Sequence, residues 1–110
     1  MNISTRELDA IKIVDIEGSL DTNTSPDAGS LLTQLIEQGA SKILVNFEKV
    51  EYISSAGLRV LLAAAKELKG RGGDLRLCHL NETVQDVFEM SGFSSILSVF
   101  KSESEAIEGF

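Results

Sequence analysis

Apolar positions along the chain repeat with two different periods, and the changes from one to the other divide it into strands and helices. Ile43-Leu44-Val45-Asn46-Phe47 is a nearly continuous apolar run. Such a run marks a strand covered on both faces and predicts a strand over Lys42 to Phe47. Upstream, Ile3 to Glu7 and Ala10 to Glu17 read as two strands joined by a tight turn around Leu8-Asp9, most simply an antiparallel hairpin. The second strand carries apolar residues on both parities, Ile11 and Ile13 against Val14 and Ile16, which predicts an interior position.

Helical spacing separates these strands. Ala28, Leu31, Leu32, Leu35 and Ile36 form a stripe that Ser25-Pro26 opens, as N-cap and first helical position, and Gly39 closes. A polar loop, Gly18 to Thr24, leads into it. Leu58, Leu61, Leu62, Ala65 and Leu68 form a second stripe, with Ser55 as the expected N-cap and Gly70 and Gly72-Gly73 as its end. Leu75, Leu77 and Cys78 mark another strand. Asn81 can then cap a third helix bearing Val84, Val87 and Phe88, closed by Gly92. A short strand near Ile96 to Phe100 follows, and Ser102 and Glu105 at capping-box spacing open a last helix with Ala106, Ile107 and Phe110. This order predicts an α/β fold: a mixed, largely parallel sheet of four to five strands covered by about four helices. The chain, 1–110, is expected to form one domain.

Composition excludes several classes of function. A formal charge of −7 argues against a nucleic-acid binder, which needs clustered Lys and Arg to displace counterions. Lys66, Lys69, Arg71 and Arg76 make only a thin basic patch, read as solvated charge around the end of the second helix. No apolar run approaches the roughly 20 residues of a membrane span, and no secretory leader is evident after Met1, so a cytoplasmic location without membrane insertion is expected. The lone Cys78 fits a reducing compartment.

The informative segment is Tyr52-Ile53-Ser54-Ser55-Ala56-Gly57-Leu58, where a buried strand stops and an amphipathic helix starts. A hydroxyl at that junction faces unpaired amides at the positive end of the helix dipole, which tolerates added negative charge. Ser55 is therefore a candidate phosphorylation site. Enzymatic readings fail in detail. A nucleophile elbow needs glycine two residues before its serine, where Ile53 stands, and His79, placed on a strand, is the only histidine. Asp21-Thr22-Asn23-Thr24-Ser25 starts like a calcium loop, but Pro26 and Leu32 occupy the positions of its glycine and closing carboxylate. Gly70-Arg71-Gly72-Gly73 follows a helix and precedes a strand, the reverse of a phosphate-cradling loop. Cys78 reads as a small buried hydrophobe facing away from His79. No catalytic residue, metal or cofactor is expected.

Taken together, several segments resemble the STAS domain family, which includes bacterial anti-sigma factor antagonists. Gly18-Ser19-Leu20-Asp21 looks like the family's Gly-x-Leu/Ile-Asp turn, and Ile43 to Phe47 like its central strand. Tyr52 to Leu62 resembles its Asp-Ser-Ser/Thr-Gly-Leu phosphorylation segment, and alignment on Gly57-Leu58 places Ser55 on the acceptor serine. Gly72 to Leu77 and Val87 to Phe93 look like its glycine turn with the following strand and its third-helix ending. Ser54 stands where an acidic residue often precedes the acceptor, and Ala56 where a hydroxyl residue often follows, so Ser54 is the alternative acceptor. The resemblance implies a partner switch. Unphosphorylated, the domain would bind a kinase-type anti-sigma factor and release a sigma factor; phosphorylated, it would let go until a serine phosphatase reset it. The partner face would include Asp21, Asn23, Ser54, Ser55, Gly57, Leu58 and Arg59. One rival reading is a non-switching STAS module of a lipid-transport or stress-signalling assembly; the other is a small-ligand or nucleotide-binding domain, to which the acidic charge and the missing phosphate loop give little support.

Overall fold

Strand β1 (Asn2–Leu8) turns back on β2 (Ile11–Leu20) through Asp9 and Ala10, whose φ angles of 49° and 70° are both positive. Positive φ at both central residues belongs to the type I′ hairpin, whose twist matches that of the flanking strands. Ala10 thus lies in the turn, outside the strand expected to begin with it. The computed structural model describes residues 1–92 and 97–110. It adds α1 (Ser25–Glu37), β3 (Lys42–Ile53), α2 (Ser55–Gly70), β4 (Asp74–Cys78), α3 (Glu82–Ser91), β5 (Ser98–Phe100) and α4 (Glu103–Ile107).

The strands lie side by side in the order β1-β2-β3-β4-β5, antiparallel between β1 and β2 and parallel thereafter. Crossovers between parallel strands are right-handed, so strands added in sequence order carry their connecting helices to one face. Leu32 and Ile36 of α1, Leu61 and Leu68 of α2, and Val84 and Phe88 of α3 accordingly share one core with Val14, Val45, Phe47 and Leu77 of the sheet. The opposite face carries a smaller core. There Ile11, Ile13, Leu44 and Cys78 meet Ala106 of α4, with Phe100, Ile107 and Phe110 packed against them. Cys78 is fully buried, and burial pushes its thiol up to about 12.

Several boundaries differ from the sequence-based expectation. β2 and β3 run on to Leu20 and Ile53, past the expected ends at Glu17 and Phe47, because their tails continue to pair through Gly18↔Val50, Ser19↔Tyr52 and Leu20↔Ile53. Register shifts between Asp15 and Glu17 and between Gly18 and Ser19 break the alternation that would have shown this. At the first shift the Asn46 side chain, itself buried, accepts from the Glu48 amide at 2.8 Å. β4 ends at Cys78, and His79 follows it with φ 59°, so strand alternation does not set the direction of His79. The expected start of the last strand at Ile96, and Phe93 before it, lie outside the described residues.

Arg76 is no solvated charge. Its guanidinium stacks 4.4 Å from the Phe110 ring centroid and 5.2 Å from that of Phe100. It donates to the carbonyls of Ala106 at 2.9 Å, Glu108 at 3.0 Å and Gly109 at 3.2 Å. Arg76 therefore fastens α4 and the following residues to the sheet. The Arg6 guanidinium, similarly, bridges Asp15 on β2 and Glu103 on α4, both at 2.6 Å.

Candidate functional site

The parallel strands β2 and β3 end level with each other, Leu20 beside Ile53, so their outgoing segments leave the same edge of the sheet. One is the Asp21–Thr24 loop; the other is the start of α2. Carboxyl ends of parallel strands are where α/β folds place their binding surfaces. The two segments are joined directly, because the Ser54 amide donates to the Leu20 carbonyl at 2.9 Å.

Ser54, not Ser55, is the N-cap of α2. It is extended, with φ −96° and ψ 173°, and its hydroxyl accepts from the Gly57 amide at 3.3 Å while its carbonyl accepts from the Leu58 amide at 3.0 Å. The expected cap is thus displaced by one residue, and this frees the Ser55 side chain. Ser55 is exposed as the first helical residue, whereas Ser54 is half-buried. The first helical amides have no carbonyl one turn earlier in the helix, so they and the dipole favour an anion beside Ser55.

Gly57 and Leu58 lie beneath this surface. A Cβ on Gly57 would sit 2.8 Å from the Leu20 carbonyl oxygen and 2.9 Å from Ile53 Cγ1, so only glycine lets the helix seat against the two strand ends. Leu58 is 3% exposed and belongs to the main core. Arg59 is exposed one turn after Ser55, on the same side of the helix. Asp21, Asn23, Ser54, Ser55 and Arg59 are at least partly open to solvent; Gly57 and Leu58 support them.

The Asp21 carboxylate is held by its own loop. One oxygen accepts from the amides of Asn23 at 2.9 Å and Thr24 at 3.1 Å, an Asx turn that lowers its pKa, with the Thr24 amide the largest cause. The Asp21 carbonyl accepts from the Ser25 amide at 2.8 Å and from the buried Ser25 hydroxyl. The turn therefore runs straight into α1. Its N-cap is Thr24 in helical conformation, and Ser25, the expected cap, is already helical. Sequence reasoning passed over Thr24, although Asp21-x-x-Thr24 has the spacing of a side chain closing a turn on itself. It also passed over Tyr52, which is 47% exposed at the end of β3 beside the site.

Among the described residues no group of three or more His, Cys, Asp or Glu is placed to hold a metal ion. Among them, too, no helix is long and apolar enough to cross a membrane.

A model of the STAS domain matches residues 2–106. The chain belongs to the STAS domain family. Within it, the chain is 34% identical over 110 residues to BtrV of Bordetella bronchiseptica, described as an anti-sigma factor antagonist, covering 100% of this chain and 95% of that one. Among solved structures, a Thermotoga maritima chain described as an anti-sigma factor antagonist has the same fold. Its TM-score is 0.92 at 23% identity, covering 96% of this chain and 92% of that one. The Bacillus cell fate determinant SpoIIAA in its phosphorylated form has a TM-score of 0.75 at 25% identity, covering 97% of each chain.

Proposed function

We propose that this chain is an anti-sigma factor antagonist whose binding is switched by phosphorylation of Ser55. The observation that carries this reading is the division of labour between adjacent serines: Ser54 caps α2 with its hydroxyl, and Ser55 presents a free hydroxyl at the helix start. A phosphorylated relative, SpoIIAA, supports it. Unphosphorylated, the surface of Asp21, Asn23, Ser54, Ser55 and Arg59, seated on Gly57 and Leu58, binds a kinase-type anti-sigma factor and frees its sigma factor. The kinase transfers the γ-phosphoryl of ATP to Ser55 Oγ. The new O–P bond forms as the bond to ADP breaks, and the hydroxyl proton is released. The phosphate adds about −1.5 to −2 charges to a surface that already holds Asp21, and the complex separates. A serine phosphatase restores the hydroxyl by hydrolysis. The chain is the substrate and binder of this cycle, works in the cytoplasm where ATP is available, and supplies no catalytic residue.

The test is to incubate the protein with ATP and the kinase-type anti-sigma factor of its own organism and to map the modified peptide. Phosphate on Ser55, lost in Ser55→Ala, is the expected result. Phosphate chiefly on Ser54 would move the switch to the alternative acceptor. Stable partner binding without any phosphate transfer would favour a non-switching module.

A further inference from the structure

Thr24 ties the end of β2 to the Asp21 loop through one half-buried side chain and opens α1 with its backbone. Its hydroxyl accepts from the Asp21 amide at 2.9 Å and donates to the Ser19 carbonyl at 2.8 Å, while its own amide donates to the Asp21 carboxylate at 3.1 Å. Its carbonyl accepts from the Asp27 and Ala28 amides at 3.2 and 3.3 Å, opening α1. Ser19 in turn pairs with Tyr52, and Leu20 accepts from Ser54. The hydroxyl thus stands between the sheet edge that seats Ser54 and the loop that carries Asp21 and Asn23.

We propose that Thr24 is a positioning residue of the switch: its hydroxyl holds the Asp21–Asn23 loop in the conformation that the anti-sigma factor reads. The proposal rests on the antagonist reading given above. A loop already ordered in the free protein costs less to order on binding, so fixing it raises affinity without adding a contact. Valine has nearly the shape of threonine but lacks the hydroxyl, so Thr24→Val leaves the Asp21 amide and the Ser19 carbonyl without their partner. Serine keeps the hydroxyl and both bonds.

The experiment is a calorimetric titration of the cognate kinase-type anti-sigma factor with the unsubstituted chain, Thr24→Val, Thr24→Ser, Asp21→Asn and the Thr24→Val/Asp21→Asn double variant. Thr24→Val should weaken binding about tenfold and Thr24→Ser restore it. The double variant should bind about as weakly as the weaker single one, because groups that act through one another are not additive. Amide exchange at Asn23 and Thr24, both bonded to the Asp21 carboxylate, should quicken in Thr24→Val and not in Thr24→Ser. Thr24→Ala removes the hydroxyl with less crowding and replaces Thr24→Val if valine disturbs α1. Affinity unchanged by loss of the hydroxyl, a serine variant as weak as valine, or additive losses in the double variant would overturn the positioning role alone. No binding by the unsubstituted chain would refute the antagonist reading and this proposal with it.

Discussion

Gly57 and Leu20 touch across the junction of the two strand ends, with the position of a Gly57 Cβ only 2.8 Å from the Leu20 carbonyl oxygen. The same oxygen accepts the Ser54 amide at 2.9 Å, so the start of α2 is bonded directly to the root of the Asp21 loop. Gly57→Ala gains helix propensity of up to about 1 kcal/mol but forces backbone apart. Overpacking of a close contact typically costs about 1–3 kcal/mol, so a net loss of stability is expected, with a thermal midpoint lower by several degrees. Partner affinity should fall as well, since the shift tilts the surface that Ser55 and Asp21 share. Equal affinity in a destabilised Gly57→Ala variant would separate the packing of this glycine from recognition.

Substitutions at the two serines should have opposite effects. Ser54→Ala removes a cap and should cost about 1 kcal/mol of stability, while phosphate transfer to Ser55 continues. Ser55→Ala puts a good helix former at an exposed first position and should leave the melting curve nearly unchanged while abolishing transfer. Thermal melts and mass spectrometry on the same two proteins check both halves.

Ala10, at φ 70°, occupies a conformation that costs an L-residue roughly 1–2 kcal/mol. Glycine avoids that strain, and Asp-Gly is a favoured type I′ pair, although its freer unfolded state gives back about 0.4–1 kcal/mol. Ala10→Gly should therefore raise stability by about 0.5–1 kcal/mol, read as a higher midpoint in urea. A lower midpoint would show that the hairpin is not strained there.

The Cys78 thiol, pushed up to about 12 by burial, stays protonated in the folded protein where an unfolded thiol ionises. A folded pKa raised above the unfolded one means that stability is intact below roughly pH 8.5 and declines as pH rises from there toward the folded value. Against Cys78→Ala, the stability difference should change by about 2 kcal/mol between pH 8 and pH 10, to the disadvantage of the cysteine form. Urea titrations at the two pH values measure it. A constant difference would mean that water reaches the thiol.

The element order, the parallel sheet and the Asn81, Gly92 and Ser102 helix ends could be read from the sequence because each rests on a local signal: a periodicity, a capping side chain or a glycine in the left-handed region. The tails of β2 and β3 could not. Their polar residues obscure a pairing that depends on the partner strand and on two register shifts. The strand-to-helix junction falls between Ile53 and Ser55, as the sequence pattern implies, but the cap falls on Ser54 and not on Ser55, because two adjacent serines offer the same chemistry to the cap. What decides between them is the Ser54–Leu20 bond, a contact between residues far apart in the chain. Burial of Gly57 and Leu58 depends on the same contact between elements.

Phosphorylation at Ser55 should break the complex while leaving the fold intact. A phosphate at a helix N-terminus gains roughly 0.3–1 kcal/mol from the dipole. Arg59, one turn later and exposed, is an oppositely charged neighbour in the favourable order, acid before base. These gains offset repulsion from Asp21, whose lowered pKa keeps it charged, so the thermal midpoint should move by no more than about 4 °C. In the complex the same phosphate must be desolvated or opposed, and a misplaced charge in a close interface costs on the order of 2–5 kcal/mol. At 1.4 kcal/mol per factor of ten, affinity should drop by roughly 30-fold or more. Calorimetric titration and thermal melts of the phosphorylated and unphosphorylated protein test both statements. Unchanged affinity would remove the switch, and a collapsed melting temperature would make unfolding the cause of release. Ser55→Asp should reproduce part of the loss only, since one carboxylate carries less charge and fewer acceptor oxygens than a phosphate.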